Sequence, residues 1–319
     1  MHKEIGGYFQ LELSNKGSFM HDNGVLLNSG RNALEYILRA KGNISRLWIP
    51  YYTCDTVLEP LVKLNLPYSF YSIDEQLELQ KLIELQQGEY ILYTNYFGVK
   101  DRYVHYLSEQ YGSQLVVDNA QALYAEVIKG VSTLYSPRKF VGIPDGGIAY
   151  EDLPLERQVY ELDKSYCRCG HLLRRYDEPA SDGYIDFRAN SGQLVMQPVR
   201  EMSLLTRALL SNIDFIQVRE RRLKNFAYLH KHLGTSNLLD LNISFSCPMV
   251  YPYRVREGAD IRKKLIVDKI YVATYWPNVF QWCASDALEC RLADDILPLP
   301  IDQRYGSCDM ERILNVINN

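Results

Sequence analysis

The stretch LVVDNAQALYAEVIKGVSTLYSPRKFVGIPDGGIAY, residues 115–150, decides how the rest of the chain is read. It opens as a short apolar strand, 115–117, and ends that strand on an acid, Asp118. Gln121 follows three residues later. A second strand-like run, Ser132–Tyr135, leads into Ser136-Pro137-Arg138-Lys139, and the chain then turns through Pro144-Asp145-Gly146-Gly147 into a third apolar run. An acid at one strand end and a lysine after the next point to one pocket, because ligands of open α/β sheets bind outside the carboxyl ends of the strands.

That pair of residues has a chemical reading. A pyridoxal phosphate enzyme needs a lysine amine to hold the cofactor's aldehyde, and a carboxylate to keep the pyridine nitrogen protonated so that the ring draws electrons. Lys139 and Asp118 suit those two catalytic roles. Gln121 is within reach of the ring hydroxyl, Ser136 can donate to the phosphate, and the small Ala120 leaves room for a flat ring. An isolated Asp–Lys pair is usually a solvated surface pair. Order and context raise this one above that reading.

Upstream, 25–28 is a short apolar run, and Ser29-Gly30 then opens a helical pattern with Ala33, Leu34, Ile37 and Leu38 at spacings of three and four. A glycine turn opening a helix aims backbone N–H groups at an anion, and the helix dipole adds to their pull. Ser29, Gly30 and the backbone of Arg31 and Asn32 are therefore the expected phosphate turn. A plain Ser N-cap is the bland alternative. Strands are expected at 46–50, 68–73 and 90–96, and helices at 57–62, 75–87 and 103–111. This alternation predicts an α/β fold with a mostly parallel sheet covered by helices on both faces. The 4–14 segment reads as an extended edge strand with an exposed Tyr8.

After Tyr150 the pattern dissolves, and 151–192 reads as a long loop that carries Arg168, Arg174 and Arg175. The run 202–233 is the strongest helical stretch, with breaks expected at Asn212 and Asp214, both weak helix formers. Its basic segment, 219–224, reads as a solvated helix face. From Phe245 a smaller α+β unit is expected, with strands at 249–255, 270–274 and 297–301 and helices at 260–267 and 310–317. The boundary lies between 205 and 235. The division adopted is 1–205 for the larger unit and 206–319 for the linking helices and the C-terminal unit.

Length and composition set bounds. A chain of 319 residues with 47% hydrophobic and 23% charged residues is long enough for two cores. A net charge of −4 offers no basic footprint for nucleic acid. No apolar run is long enough to span a bilayer, and residues 1–7 carry no apolar signal core, so a cytoplasmic protein is expected. Seven cysteines show no disulfide framework, and Cys167-Arg168-Cys169-Gly170-His171 falls short of four metal ligands, so no metal is expected.

At this point the chain resembles a known family. Asp118-Asn119-Ala120-Gln121 looks like the D-x-A-Q/H box of the DegT/DnrJ/StrS-type sugar aminotransferases, and Lys139 followed by Pro144-Asp145-Gly146-Gly147 resembles their lysine followed by G-E-G-G. Ser29-Gly30-Arg31-Asn32-Ala33-Leu34 is similar to their S-G-T-x-A-L turn, and Pro50-Tyr51-Tyr52-Thr53 to P-x-x-T. Asn95-Tyr96-Phe97-Gly98 is similar to H-x-x-G, and Leu297-Pro298 to the L-P of the last strand. The resemblance covers nearly the whole chain. It implies a fold-type-I pyridoxal phosphate transferase fold and a homodimer. It also implies an aminotransferase that moves an amino group from glutamate or glutamine to a keto sugar carried on a nucleotide, in cell-surface polysaccharide or related synthesis. A pyridoxal phosphate sugar dehydratase and a catalytically altered homologue are the rival readings. The sequence departs from the family at three points. Cys54 stands where an aromatic ring covers the cofactor, which moves the stacking role to Tyr52 or Tyr51. Asn95 stands in the place of a histidine, with a hydrogen-bonding role only. Val199 holds the register of an asparagine that reaches the partner subunit.

Overall fold

A computed structural model describes residues 5–14, 17–152, 160–241 and 246–319. Glu4, the 153–159 part of the expected loop, and Phe245 lie outside the described residues. The larger unit runs β1 (Val25–Leu27), α1 (Gly30–Lys41), β2 (Arg46–Pro50), α2 (Leu58–Lys63), β3 (Tyr68–Tyr71), β4 (Glu89–Thr94) and α3 (Asp101–Tyr111). It continues through β5 (Leu115–Asn119), β6 (Ser132–Tyr135), β7 (Gly147–Tyr150), α4 (Gly170–Asp177) and α5 (Tyr184–Gln193). Two linking helices follow, α6 (Leu204–Leu210) and α7 (Phe215–Leu233). The remainder is β8 (Tyr251–Arg254), α8 (Gly258–Val267), α9 (Val279–Trp282), α10 (Leu288–Asp295), β9 (Ile296–Leu299) and α11 (Ser307–Asn318).

Seven strands form one sheet in the order β1-β7-β6-β5-β4-β2-β3. Pairing is parallel from β3 through β2, β4 and β5 to β6, and antiparallel at β6–β7 and β7–β1. The expected mostly parallel sheet is present. Successive strand side chains alternate between its faces. Leu92 and Val116 join α1 and α2 in one apolar cluster, while Ile91, Tyr93, Leu115 and Val117 join α3 and the C-terminal unit in another. Both faces are thus covered, which is why these strands read as near-continuous apolar runs.

The linking helices are cut where the sequence suggested. Ser203 caps α6 by accepting the Thr206 N–H at 3.2 Å, and Asp214 caps α7 by accepting the Gln217 N–H at 2.9 Å. The buried stripe of α7 includes Arg222, which corrects the solvated reading of 219–224 at that residue. Its guanidinium donates to the carbonyls of Met249 at 2.8 Å and Phe140 at 3.1 Å, and lies over the Phe140 ring. The C-terminal unit has a two-stranded antiparallel sheet, β8–β9, packed on α7, α8 and α10. Among the described residues no helix is long and apolar enough to cross a membrane.

Other expectations fail for identifiable reasons. Residues 75–87 are not a helix. Asp74 Oδ1 accepts the N–H groups of Gln76 and Glu78, Leu77 sits at φ 65°, and Ile73 bridges back to Leu79. The next N–H groups go to α3: Leu79 donates to the Tyr103 hydroxyl at 3.0 Å and Ile83 to the Tyr111 hydroxyl at 2.9 Å. Tertiary partners thus replace the intrahelical ones, which overrides the helix propensity of a Leu/Glu/Gln run. Residues 270–274 form no strand. The Ile270 N–H closes α8 on the Leu265 carbonyl, and Ile270 and Val272 are buried without a ladder. The expected loop 151–192 carries α4 and α5, short helices whose apolar residues are largely exposed; α5 has no amphipathic pattern, and α4 is only eight residues long. Residues 5–14 form no strand, and Tyr8 is exposed.

The tyrosine hydroxyls of α3 provide a test. Replacing Tyr103 or Tyr111 with Phe leaves a partly buried backbone N–H without its acceptor, at an expected cost of about 1 kcal/mol each. Urea unfolding measures that cost, and amide exchange should show faster exchange at Leu79 in one variant and Ile83 in the other. Unchanged exchange in both variants would show that the hydroxyls do not hold this segment.

Candidate active site

The candidate residues gather at the carboxyl ends of β5 and β6. Thr94, Asp118 and Leu134 stand opposite one another on β4, β5 and β6, and Asn119 stands opposite Tyr135, the residue before Ser136. The Asp118 carboxylate is buried and accepts the Ala120 N–H at 2.8 Å. Burial pushes its carboxyl up from the ordinary value, while the charge of Lys139 and the Ala120 N–H pull the other way. Lys139 ends a turn begun by Pro137, its N–H bonded to the Ser136 carbonyl at 3.2 Å, and its side chain is exposed. A buried acid therefore lies within the electrostatic reach of an amine open to solvent.

Gln121 is fully buried. Its Oε1 accepts the Phe97 N–H at 2.8 Å, so its Nε2 is turned the other way, where it has no hydrogen-bond partner. Phe97 is held at φ 57° just past β4, in the left-handed region. Asn95 also sits there, and its amide bonds Asp101 at 2.7 Å and Asn119 at 3.0 Å, a hydrogen-bonding role as expected of a group that does not titrate.

The α1 turn is tied to the lysine loop by close backbone approach. Gly146, at φ 129°, bridges to Ser29, and its N–H donates to the Asn28 carbonyl at 2.9 Å. A Cβ on Gly147 would stand 2.6 Å from the Gly30 nitrogen and nearer still to the Ser29 carbonyl. The glycine pair is a packing requirement of this approach. Asp145, before it, is buried and accepts the Ser203 N–H at 2.9 Å, the Ser203 hydroxyl at 2.8 Å and the Thr206 hydroxyl. It anchors α6 and does no chemistry in this arrangement.

Ser29 caps α1 by accepting the Asn32 N–H at 3.2 Å, which commits that N–H to the cap and corrects its expected place at an anion. The Asn32 side chain is also used, donating to Asn28 at 2.6 Å and to the Pro198 carbonyl at 2.9 Å. Within the first turn N–H groups have no intrahelical acceptor, so the Arg31 N–H is not committed to the helix itself. The Arg31 side chain turns to Glu59 at 3.4 Å. Gly30 faces Ser136: a Cβ at Gly30 would meet the Ser136 Cβ at 3.6 Å and its Oγ at 3.8 Å.

Tyr52 does not stand open to a ring. It is fully buried, packed on Tyr96 and edge-on to Trp276 at 4.9 Å, and its hydroxyl donates to the Leu292 carbonyl at 3.4 Å. Tyr51 stacks on Phe70 at 4.6 Å. The Tyr52 ring is held in packing between the units, which corrects its assignment to the stacking role. Arg138 and His171 lie close to the site; His171 was weighed in the sequence only as a metal ligand, and Arg138 was not singled out, because nothing in its local pattern distinguishes it from a surface residue.

No family model matches the sequence, and no curated protein matches it. Solved structures share its fold. The sugar aminotransferase CalS13 from Micromonospora echinospora matches at TM-score 0.60 and 15% identity over 92% of this chain and 86% of its own. A DegT DnrJ EryC1 StrS aminotransferase from Brucella abortus matches at 0.60 and 14% over 92% and 84%. NtdA from Bacillus subtilis, solved with bound cofactor PMP, matches at 0.59 and 15% over 92% and 73%. At these identities the shared feature is the fold.

The glycine approach can be tested. Gly147→Ala forces the strand off the α1 turn and should cost about 2 kcal/mol or more. Gly30→Ala meets only ordinary contacts and should stay within about 1 kcal/mol of the parent. Denaturant unfolding compares the two. Equal losses would show that the turn and strand are not held at this distance.

Proposed function

We propose that the chain is a pyridoxal phosphate-dependent aminotransferase of the DegT/DnrJ/StrS type. The observation that carries this is the buried Asp118 at the end of β5, acting across the sheet rim on the exposed Lys139. The residues suit the cofactor. Gln121 Nε2 is a buried donor without a protein acceptor, as a ring oxygen would require. Ser136 and Gly30 face each other at the head of a 12-residue helix whose dipole favours a phosphate. The shared fold with CalS13 and with PMP-bound NtdA supports the same reading. When bound, the cofactor supplies an electron sink for the carbon that loses its proton.

The chain's own groups do the rest. Asp118 would accept a hydrogen bond from the ring nitrogen, and its buried setting would strengthen that bond. Lys139 would hold the cofactor through Nζ and, when free, its amine would carry the proton that the reaction moves. Gln121 would orient the ring through its Nε2. The donor is glutamate or glutamine and the acceptor a keto sugar on a nucleotide, in a cytoplasmic pathway such as that of cell-surface polysaccharides. The division at residues 205/206 belongs to this reading, although the apolar core runs unbroken from α3 to α11.

The helices α4 and α5 support a homodimer. They expose Leu173, Tyr176, Tyr184, Ile185 and Phe187, and apolar patches of this kind mark interfaces. A cleft between two copies follows from this reading. Light scattering should give twice the 37.0 kDa chain mass. Tyr176→Asp with Ile185→Asp should shift the protein to monomer, and a parent protein of monomer mass overturns the homodimer.

The chemistry is tested in two steps. Borohydride reduction of the cofactor-loaded protein, followed by digestion and mass spectrometry, should place a pyridoxyl adduct on Lys139. Glutamate should then convert bound pyridoxal phosphate to pyridoxamine phosphate, which a nucleotide-linked keto sugar converts back. An adduct on another lysine removes the Lys139 assignment. Failure of glutamate, glutamine and other donors to yield pyridoxamine phosphate removes the aminotransferase.

A further inference from the structure

The residue before Lys139 is an arginine that the reading above does not use. Arg138 is partly buried, and its Nε is shut off from solvent without a hydrogen-bond partner. Among the described residues its guanidinium has no ion pair within 4 Å. The groups acting on it are mostly positive. Arg31 comes from the head of α1 and Arg168 from the segment before α4, and the buried Nε of Arg168 makes no hydrogen bond. His171, on α4, is buried with its Nδ1 unpartnered, and Arg138 helps to hold its imidazole below the ordinary value after burial itself.

The nearby carboxylates are already engaged. Glu59 pairs with Arg31 at 3.4 Å, and Asp163 pairs with Arg168 at 2.5 Å. Asp145, the one acid acting on Arg138, takes its hydrogen bonds from Ser203 and Thr206, and burial pushes its own carboxyl up. Burial, and then Arg31, lower Arg138 to about 10, which still leaves it charged at neutral pH. Arg138 is thus left, among the described residues, as a half-buried positive charge with no ion pair of its own beside two guanidiniums that have theirs. Such charge is retained where an anion meets it.

We propose that Arg138 is a phosphate-binding residue that, with the first turn of α1, holds a phosphate monoester dianion. Ser136, two residues before it, faces Gly30 at that turn, so the same loop carries a hydroxyl, a guanidinium and the Lys139 amine. Arginine suits the task because its planar fork of N–H donors matches phosphate oxygens two at a time. The identity of the phosphate as that of pyridoxal phosphate rests on the function proposed above. The charge then comes from the chain that also carries Lys139. Arg31 and Arg168, each already paired, hold the surrounding potential positive.

The test measures binding, independent of turnover. Pyridoxal phosphate, pyridoxal, inorganic phosphate and uridine diphosphate are titrated into the full-length parent, Arg138→Ala and Arg138→Lys, with circular dichroism as the folding control. Arg138→Ala should weaken pyridoxal phosphate by about tenfold or more, the loss of a charged hydrogen bond, and leave pyridoxal unchanged. Arg138→Lys should fall between the two, and it stands in if the alanine variant does not fold. Inorganic phosphate should compete with pyridoxal phosphate in the parent and compete less in the variants. Equal weakening of both pyridoxal compounds, or of neither, overturns the proposal, as does a loss confined to uridine diphosphate. If the parent binds neither pyridoxal compound, the cofactor reading fails by itself. Thermal stabilisation by inorganic phosphate then decides the site: protection of the parent that is reduced in the variants supports it, and equal or no protection overturns it.

Discussion

The approach of Gly146 and Gly147 to the Ser29–Gly30 turn is the constraint on which the site depends. Backbone atoms of β7 and the head of α1 lie closer than any side chain would allow. The strand that leaves the lysine loop is thereby pinned against the helix that would bind phosphate. Asp145 extends the constraint: its buried carboxylate takes the first groups of α6, so residues 145–147 also fix where the linking helices start. A loop tied at both ends holds Ser136, Arg138 and Lys139 in one arrangement, and a pre-organised site spends little free energy on ordering.

The second constraint joins the two units. Arg222 of α7 donates to the carbonyls of Phe140, just after Lys139, and of Met249, before β8. Gln303 donates to the same Phe140 carbonyl at 2.9 Å. Met249 in turn donates to the Phe97 carbonyl at 2.8 Å, beside the Gln121 contact. Residues from both units thus bond to the backbone that flanks the candidate lysine and the candidate glutamine. Tyr52, Tyr96 and Trp276 pack across the same seam. The tyrosine that family likeness offered to the cofactor is instead part of the joint between the units.

Much of the fold was legible because burial on both faces leaves a strong mark. The strands 46–50 and 132–135 read as apolar runs with turn residues at their ends, and they form with those bounds. The break at Asn212 and Asp214 was visible in an otherwise continuous helical pattern, and Asp214 caps α7 there. The failures have the opposite character. Residues 75–87 carry good helix formers, but Tyr103 and Tyr111, more than twenty residues away, satisfy their backbone in another conformation. The α4–α5 pair is helical with its apolar side chains largely outward, and α5 has no periodic apolar face.

The sequence by itself determined the sheet, the order of its strands with helices, and the placing of an acid and a lysine at adjacent strand ends. These follow from local periodicity, and from a strand ending where its apolar run ends. Only the tertiary structure decided which groups near that rim are free. Asn32 was lost to the cap, Tyr52 to the seam and Asp145 to α6, while Arg138 was left without a partner among the described residues. A polar group's availability depends on which other groups the fold brings within hydrogen-bonding distance, and those partners lie far off in the chain, where no local pattern registers them.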